Sequence, residues 1–260
     1  LTWYERAVKA SDSAASLSAV EMHAEQLSLP GSSEEDLGKA IERFELIQAI
    51  HGTSLRRSVM AGNAHRRLSM LLWASDHQEQ RNRAVCQLEL ACRQYEAAAG
   101  CGTDSLYRYY PLRAALSCKL RAILIATLDA GPREAVAGDA ATAAPDEDAF
   151  ERELANTLRE IQQAVTADPQ FWTIVAQTEH EIIKGIKRGN LAARDKDIRG
   201  SLRDLHNRIN TQRFWTYVHD DANGLLVPYI ELMAGNPGEL ETAKALQQQL
   251  ERYGKGQRDP

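Results

Sequence analysis

Aromatic residues are scarce, at 6% of 260 positions. Strands favour β-branched and aromatic side chains, whereas alanine, leucine, glutamate, glutamine and arginine favour helix. A sheet-rich fold is therefore excluded, and the composition points to an all-α chain whose 43% hydrophobic content supports a sizeable core. The four cysteines, Cys86, Cys92, Cys101 and Cys118, include no Cys-x-x-Cys pair. They are read as reduced and intracellular, with Cys86 and Cys118 as small core residues. There is no excess of positive charge: the net charge is −5 and the isoelectric point about 5.9. That argues against a dedicated nucleic-acid binder, whose field is basic, while leaving room for a local basic patch. No apolar run approaches the roughly 18 residues a membrane span needs. The longest greasy stretch, 120–128, is interrupted by Arg121. With no secretory signal pattern either, the expected location is cytoplasmic, without a membrane partner. No glycine-rich phosphate loop and no Gly-x-Ser-x-Gly elbow is present.

The most informative stretch is 52–74. Placed on a helix, Leu55, Val59, Gly62, Ala64, Leu68, Leu71 and Leu72 gather on one side. Arg56, Asn63, Arg66, Arg67 and Ser69 fall largely on the other. Ala61, Gly62 and Ala64 are small where a neighbouring helix would press close, and larger residues follow a turn later. This is the logic of the first helix of a helix–turn–helix repeat.

The rest of the chain reads as further helices. One ends near residue 10 and one runs 14–29, closed by Pro30 and Gly31. The next runs to about residue 50, capped by Ser32 or Ser33, with Leu37, Ile41, Phe44 and Ile47 or Gln48 in register. A helix to Gly100 carries Ala84, Leu88, Ala91 and Tyr95 on one side. A long apolar helix over 106–128 has Pro111 early, so it either kinks there or begins near Tyr110. Residues 129–148, with Gly131, Pro132, Gly138 and Pro145, hold no stripe and read as a loop or disordered insertion. Helices are then expected over 150–166, 170–188, 196–210 and 212–234, the last disturbed by Asn223, Gly224 and Pro228, and over 239–253. The predicted organisation is hairpin repeats over 1–128, the insertion 129–148, hairpin repeats over 149–253 and a polar tail 254–260.

Phe171-Trp172-Thr173-Ile174-Val175 recurs as Phe214-Trp215-Thr216-Tyr217-Val218, an offset of 43 residues. Both copies follow a turn and open a helix. A period of about 40 residues fits one helix pair per unit, as in an α-solenoid.

Trp3-Tyr4-Glu5-Arg6-Ala7 resembles the end of the second helix of a tetratricopeptide repeat. Val59 to Leu71 resembles its first helix, with Ala64 or His65 where the repeat usually carries an aromatic residue. More specifically, Trp3 to Val20 (with Ser16 to Glu21), Gly52 to Leu72 and Asp168 to Trp172 are similar to the divergent tetratricopeptide-like region that follows caspase-like, CHAT or TIR effector domains in bacteria. That region is related to the TRAF-binding region of some stress kinases. The resemblance implies a right-handed superhelix of hairpins acting as a non-enzymatic sensing or scaffolding module, the chemistry lying elsewhere in a longer polypeptide. The opening of the sequence inside a helical pattern agrees with a fragment.

Candidate chemistry is weighed against that background. His219, Asp220 and Asp221 resemble the His-Asp pair of helical metal phosphohydrolases, which would need converging ligands such as His180, Glu181 or His206. A surface or capping cluster is the plainer explanation. Glu179-His180-Glu181 lacks the spacing that sets two imidazoles on one helical face, and Cys92 or Cys101 as a nucleophile would need a nearby base. Arg56, Arg66 and Arg67 on one helix, Arg81, Arg83 and Arg93 on the next, and Tyr107, Arg108, Tyr109, Tyr110 and Arg113 beyond could line a concave groove. The expected binding residues are Arg56, Asn63, Arg66, Arg67, Tyr107, Arg108, Tyr110 and Arg113. The expected ligand is a partner protein or peptide, or an effector domain of the same polypeptide. A nucleotide or RNA is the alternative, and a metal-dependent hydrolase the lesser one. No catalytic residue, metal or cofactor is assigned.

Overall fold

Residues 14–75, 77–101, 107–129 and 147–257 are described by a computed structural model of the chain, and their regular structure is entirely helical. The ten described α-helices are α1 (Ala14–Leu27), α2 (Glu34–His51), α3 (Leu55–Trp73), α4 (Gln78–Gly100), α5 (Tyr109–Asp129), α6 (Glu147–Ala167), α7 (Phe171–Lys187), α8 (Asp195–Arg208), α9 (Gln212–Leu232) and α10 (Pro237–Gly254). The all-α expectation is met. The expected helix over 1–10 lies outside the described residues, as does the insertion apart from Asp129, which ends α5, and Glu147 and Asp148, which open α6. Two compact units divide the chain, 1–104 and 105–260.

The helix ends follow local chemistry. Ser33 caps α2, its hydroxyl oxygen accepting from the Asp36 N–H at 3.1 Å. Ser54 caps α3 through the Arg57 N–H at 3.2 Å. Each satisfies an N–H that the first turn would leave orphaned. Gly52 closes α2 with φ 75°, a left-handed conformation that costs glycine little, and its N–H bonds the Gln48 carbonyl. Asn236 caps α10, with Pro237 in its first turn. Helix α5 begins at Tyr109, so Pro111 falls in the first turn, where its missing N–H costs nothing. Helix α9 continues through Asn223, Gly224 and Pro228, although the proline leaves the Gly224 carbonyl without its helical donor.

In the first unit each helix packs on the next: α1 on α2, α2 on α3, α3 on α4. The predicted stripes Leu37, Ile41, Phe44, Ile47 and Ala84, Leu88, Ala91, Tyr95 are buried. The close approach expected at Gly62 is present: a methyl group there would stand 2.8 Å from the Tyr95 ring. The Tyr95 hydroxyl continues past the glycine to donate to Asn63 Oδ1 at 2.7 Å. Two expectations are corrected. Cys86 is exposed, because α4 turns the Ala84–Tyr95 side inward. Arg66, Arg67 and Ser69 are buried while Leu71 is 44% exposed. Helix α3 contacts both of its neighbours, so its covered face is broader than a single apolar stripe.

In the second unit α5 packs on α6, α7 and α9, while α7 also meets α6, α8 and α9. Helix α10 lies along α9 and reaches α8. The core joins Leu116, Leu120, Val175, Ile183, Leu202, Trp215, Leu226 and Tyr253, with others. Both Phe-Trp copies open a helix, but they bury different members. Phe171 is buried and Trp172 is 36% exposed, whereas Trp215 is fully buried and Phe214 half-buried. The buried Trp215 indole donates to the Ile209 carbonyl at 2.7 Å.

Replacing Gly62 by valine is expected to cost about 1–3 kcal/mol, since the Tyr95 ring is held in place. Gly38→Ala in α2, where an added methyl meets nothing within 4 Å, should gain roughly 0.5–1 kcal/mol through helix propensity. Urea unfolding of both variants checks the pair, and equal effects would refute the packing account.

Candidate functional site

The eight expected binding residues divide between the two units. In the first, Arg56 is exposed and pairs with Glu25 at 2.9 Å. Asn63 receives the Tyr95 hydroxyl. Arg66 is buried, and Arg67 is buried with its guanidinium donating to the Ser28 carbonyl at the end of α1. Beside them Arg57, which sequence reasoning passed over, holds Glu21 at 2.6 Å and donates to the His51 and Gly52 carbonyls at 3.1 and 3.0 Å. It thereby ties the C-terminus of α2 to α1, a helix end where a cation is favoured. On the next helix Arg81 lies over the Trp73 ring at 5.0 Å, and Arg83 meets Glu34 at 3.0 Å.

In the second unit Tyr107 is 55% exposed, and Arg108 stands 3.9 Å from Glu160. Arg113 departs furthest from a groove-lining role. It is 5% exposed and sits where α5, α7 and α9 meet, 3.0 Å from Glu179 and 3.1 Å from Asp221. The Tyr110 ring lies against it, 5.3 Å from the guanidinium carbon. Burial opposes its charge, but Glu179 and Asp221 outweigh burial and raise its pKa. Arg66, Arg67 and Arg113 are thus internal cations rather than solvated ones, because a buried guanidinium is tolerated only when acceptors surround it.

The groups weighed for catalysis go to separate places. Asp221 faces Arg113, and Glu181 pairs with Arg194. His206 stacks on Tyr253 with ring centroids 3.9 Å apart. His219 is half-buried on α9, its pKa lowered by burial against the pull of Glu251 and Asp220. His180 is 1% exposed, its Nδ1 without a hydrogen-bond partner, and burial depresses its pKa to about 4. Among the described residues no three His, Cys, Asp or Glu side chains are grouped to hold a metal ion. The Cys101 thiol is exposed beside the Thr53 hydroxyl, 3.8 Å away.

An open groove of about 290 Å³ lies between α7 and α8. Helix α7 contributes Ile174, Gln177, Thr178 and Glu181. Helix α8 contributes Asp197, Ile198 and Ser201, and Arg194 reaches in from the 3-10 turn Ala192–Arg194. No motif announces this site. It arises from the spacing of two helices, which sequence periodicity does not encode.

Comparison of the chain with protein-family models, curated proteins and solved structures finds no match. No described helix is long and apolar enough to cross a membrane.

Arg113→Leu is expected to destabilise the chain by about 3–5 kcal/mol, since it strands two carboxylates in the interior. Adding Glu179→Gln and Asp221→Asn should recover much of that loss, and a single-variant cost under about 1 kcal/mol would remove the cluster from its structural role. For His180 the unfolded chain binds a proton near pH 6.5 and the folded chain only near 4. Stability contributed by the neutral ring is therefore present above 6.5 and lost as pH falls through that window. His180→Leu should flatten the acid slope between those values, as read by urea midpoints at several pH values.

Proposed function

We propose that the chain is a non-enzymatic interaction module of tetratricopeptide-like hairpins, part of a larger effector or signalling protein, that holds a partner protein or peptide. The sequential packing of α1 to α4 and the glycine-to-tyrosine contact of α3 and α4 support the hairpin character. In the second unit α5, α7 and α9 close on one another around Arg113. A partner would therefore use outward faces and inter-helix grooves rather than a hollow lined by those three helices.

The observation that carries the proposal is the outward face of α2. Leu46 is 59% exposed and Ile50 65% exposed, one helical turn apart, with exposed Glu42, Glu45 and Ala49 around them. Other leucines and isoleucines of this helix are buried. A pair of large aliphatic side chains on one outward face is what a helix offers to a docking partner. The alternative of a nucleotide or RNA ligand has less support. Of its proposed arginines three are buried, and Arg56 and Arg108 already face carboxylates.

The Leu46→Glu/Ile50→Glu double variant should lose partner capture while its unfolding free energy stays within about 0.5 kcal/mol of the parent, as exposed substitutions do. Affinity capture with the two proteins side by side is the measurement. Unchanged recovery of the same partner would defeat the assignment of this face.

A further inference from the structure

The α7–α8 groove has a chemistry of its own. Its floor is apolar, with Ile198 buried and Ile174 half-buried. Along α7 the stretch from Ile174 to Glu181 spans about 10 Å at 1.5 Å per residue. One end is charged. There Glu181 is met by Arg194, and by Lys184 at 3.7 Å. Asp197, exposed on the facing helix, enters no ion pair among the described residues. Gln177 and Ser201 add hydrogen-bonding groups to the walls.

Resting on the interaction-module reading, we propose that this groove seats the basic side chain of a partner peptide. The methylene stem lies on Ile174 and Ile198, and the cationic tip reaches the Asp197 carboxylate. Lysine and arginine lay apolar stems along apolar surface while their heads seek an acceptor or water, which matches a floor of isoleucine ending at a carboxylate. An anionic ligand would meet the Glu181 and Asp197 carboxylates, while Arg194 and Lys184 both already face Glu181. A purely apolar ligand would leave Asp197, Gln177 and Ser201 without a use for their polar atoms. The groove volume of about 290 Å³ sits at the lower end of the range for small-ligand sites, the scale of one side chain rather than a cofactor.

The test titrates the full chain with a blocked Ala-Lys-Ala peptide, following the methyl signals of Ile174 and Ile198 by NMR. The expected result is a saturable shift of both signals. Asp197→Asn should weaken affinity about fivefold, and so should norleucine in place of lysine, the range for a solvent-accessible charge pair. Asp204→Asn, on an exposed part of the same helix, should change nothing. Equal binding of the norleucine peptide, an unaffected Asp197→Asn protein, or no shift at millimolar peptide would each overturn the proposal. Butylamine shifting the same signals as tightly as the peptide would also overturn it, by assigning the groove to free amines. These outcomes are separate from those for Leu46 and Ile50, which belong to the other unit.

Discussion

The buried Arg113 guanidinium sets how three helices of the second unit meet. Arg113 belongs to α5, Glu179 to α7 and Asp221 to α9, and Arg113 and Asp221 are 108 residues apart in sequence. An apolar core tolerates small slips of one helix along another, because greasy surface is exchanged for similar surface. A cation that must meet two carboxylates from two other helices tolerates far less, since any other register leaves a charge unpaired in the interior. Such a cluster adds little net stability over well-packed leucines. Its effect is to specify which parts of α5, α7 and α9 meet. The neighbouring His180, buried and neutral, shares this environment: Arg113 disfavours its protonation, although burial is the larger cause.

The first unit solves the same problem by shape. Gly62 lets the Tyr95 ring lie against the α3 backbone, and the hydroxyl beyond it finds Asn63. Register along α3 and α4 is thereby fixed by one missing side chain and one large one. Charge plays a peripheral part, with Arg57 and Arg67 reaching from α3 to backbone carbonyls at the ends of α2 and α1. Those carbonyls have no intrahelical donor, so the arginines complete helix ends as well as joining helices.

Features that depend on one helix and its own period could be read from the sequence. The stripes of α2 and α4, the Ser33 cap, the start of α5 beside Pro111 and the small residues around Gly62 all follow from spacing on a single helix. Features set by a second neighbour could not. Arg66, Arg67 and Arg113 sit in polar positions on a helical wheel, and only the helices around them make those positions interior. The Phe-Trp repeat shows the same limit. Its two copies have matching sequence and matching placement at helix starts, yet Trp215 has Tyr253 and His206 to pack against. Trp172 has Phe214 and Tyr217 on its flank and remains partly open. The groove between α7 and α8 is likewise a product of helix spacing, with no pattern along the chain to mark it.

The internal use of arginine has a consequence for recognition. The chain carries 31 basic and 36 acidic residues. Arg66, Arg67 and Arg113 are withdrawn from the surface, and Arg56, Arg83 and Arg108 are matched there by glutamates. Glu179 is withdrawn in turn, yet Glu42, Glu45 and Asp197 remain exposed beside aliphatic side chains on α2 and α8. Faces of this kind attract partners of opposite sign and repel acidic ones, so charge selects the partner before apolar contact holds it. On the proposed interaction-module role, a basic, amphipathic segment would satisfy both conditions at either face.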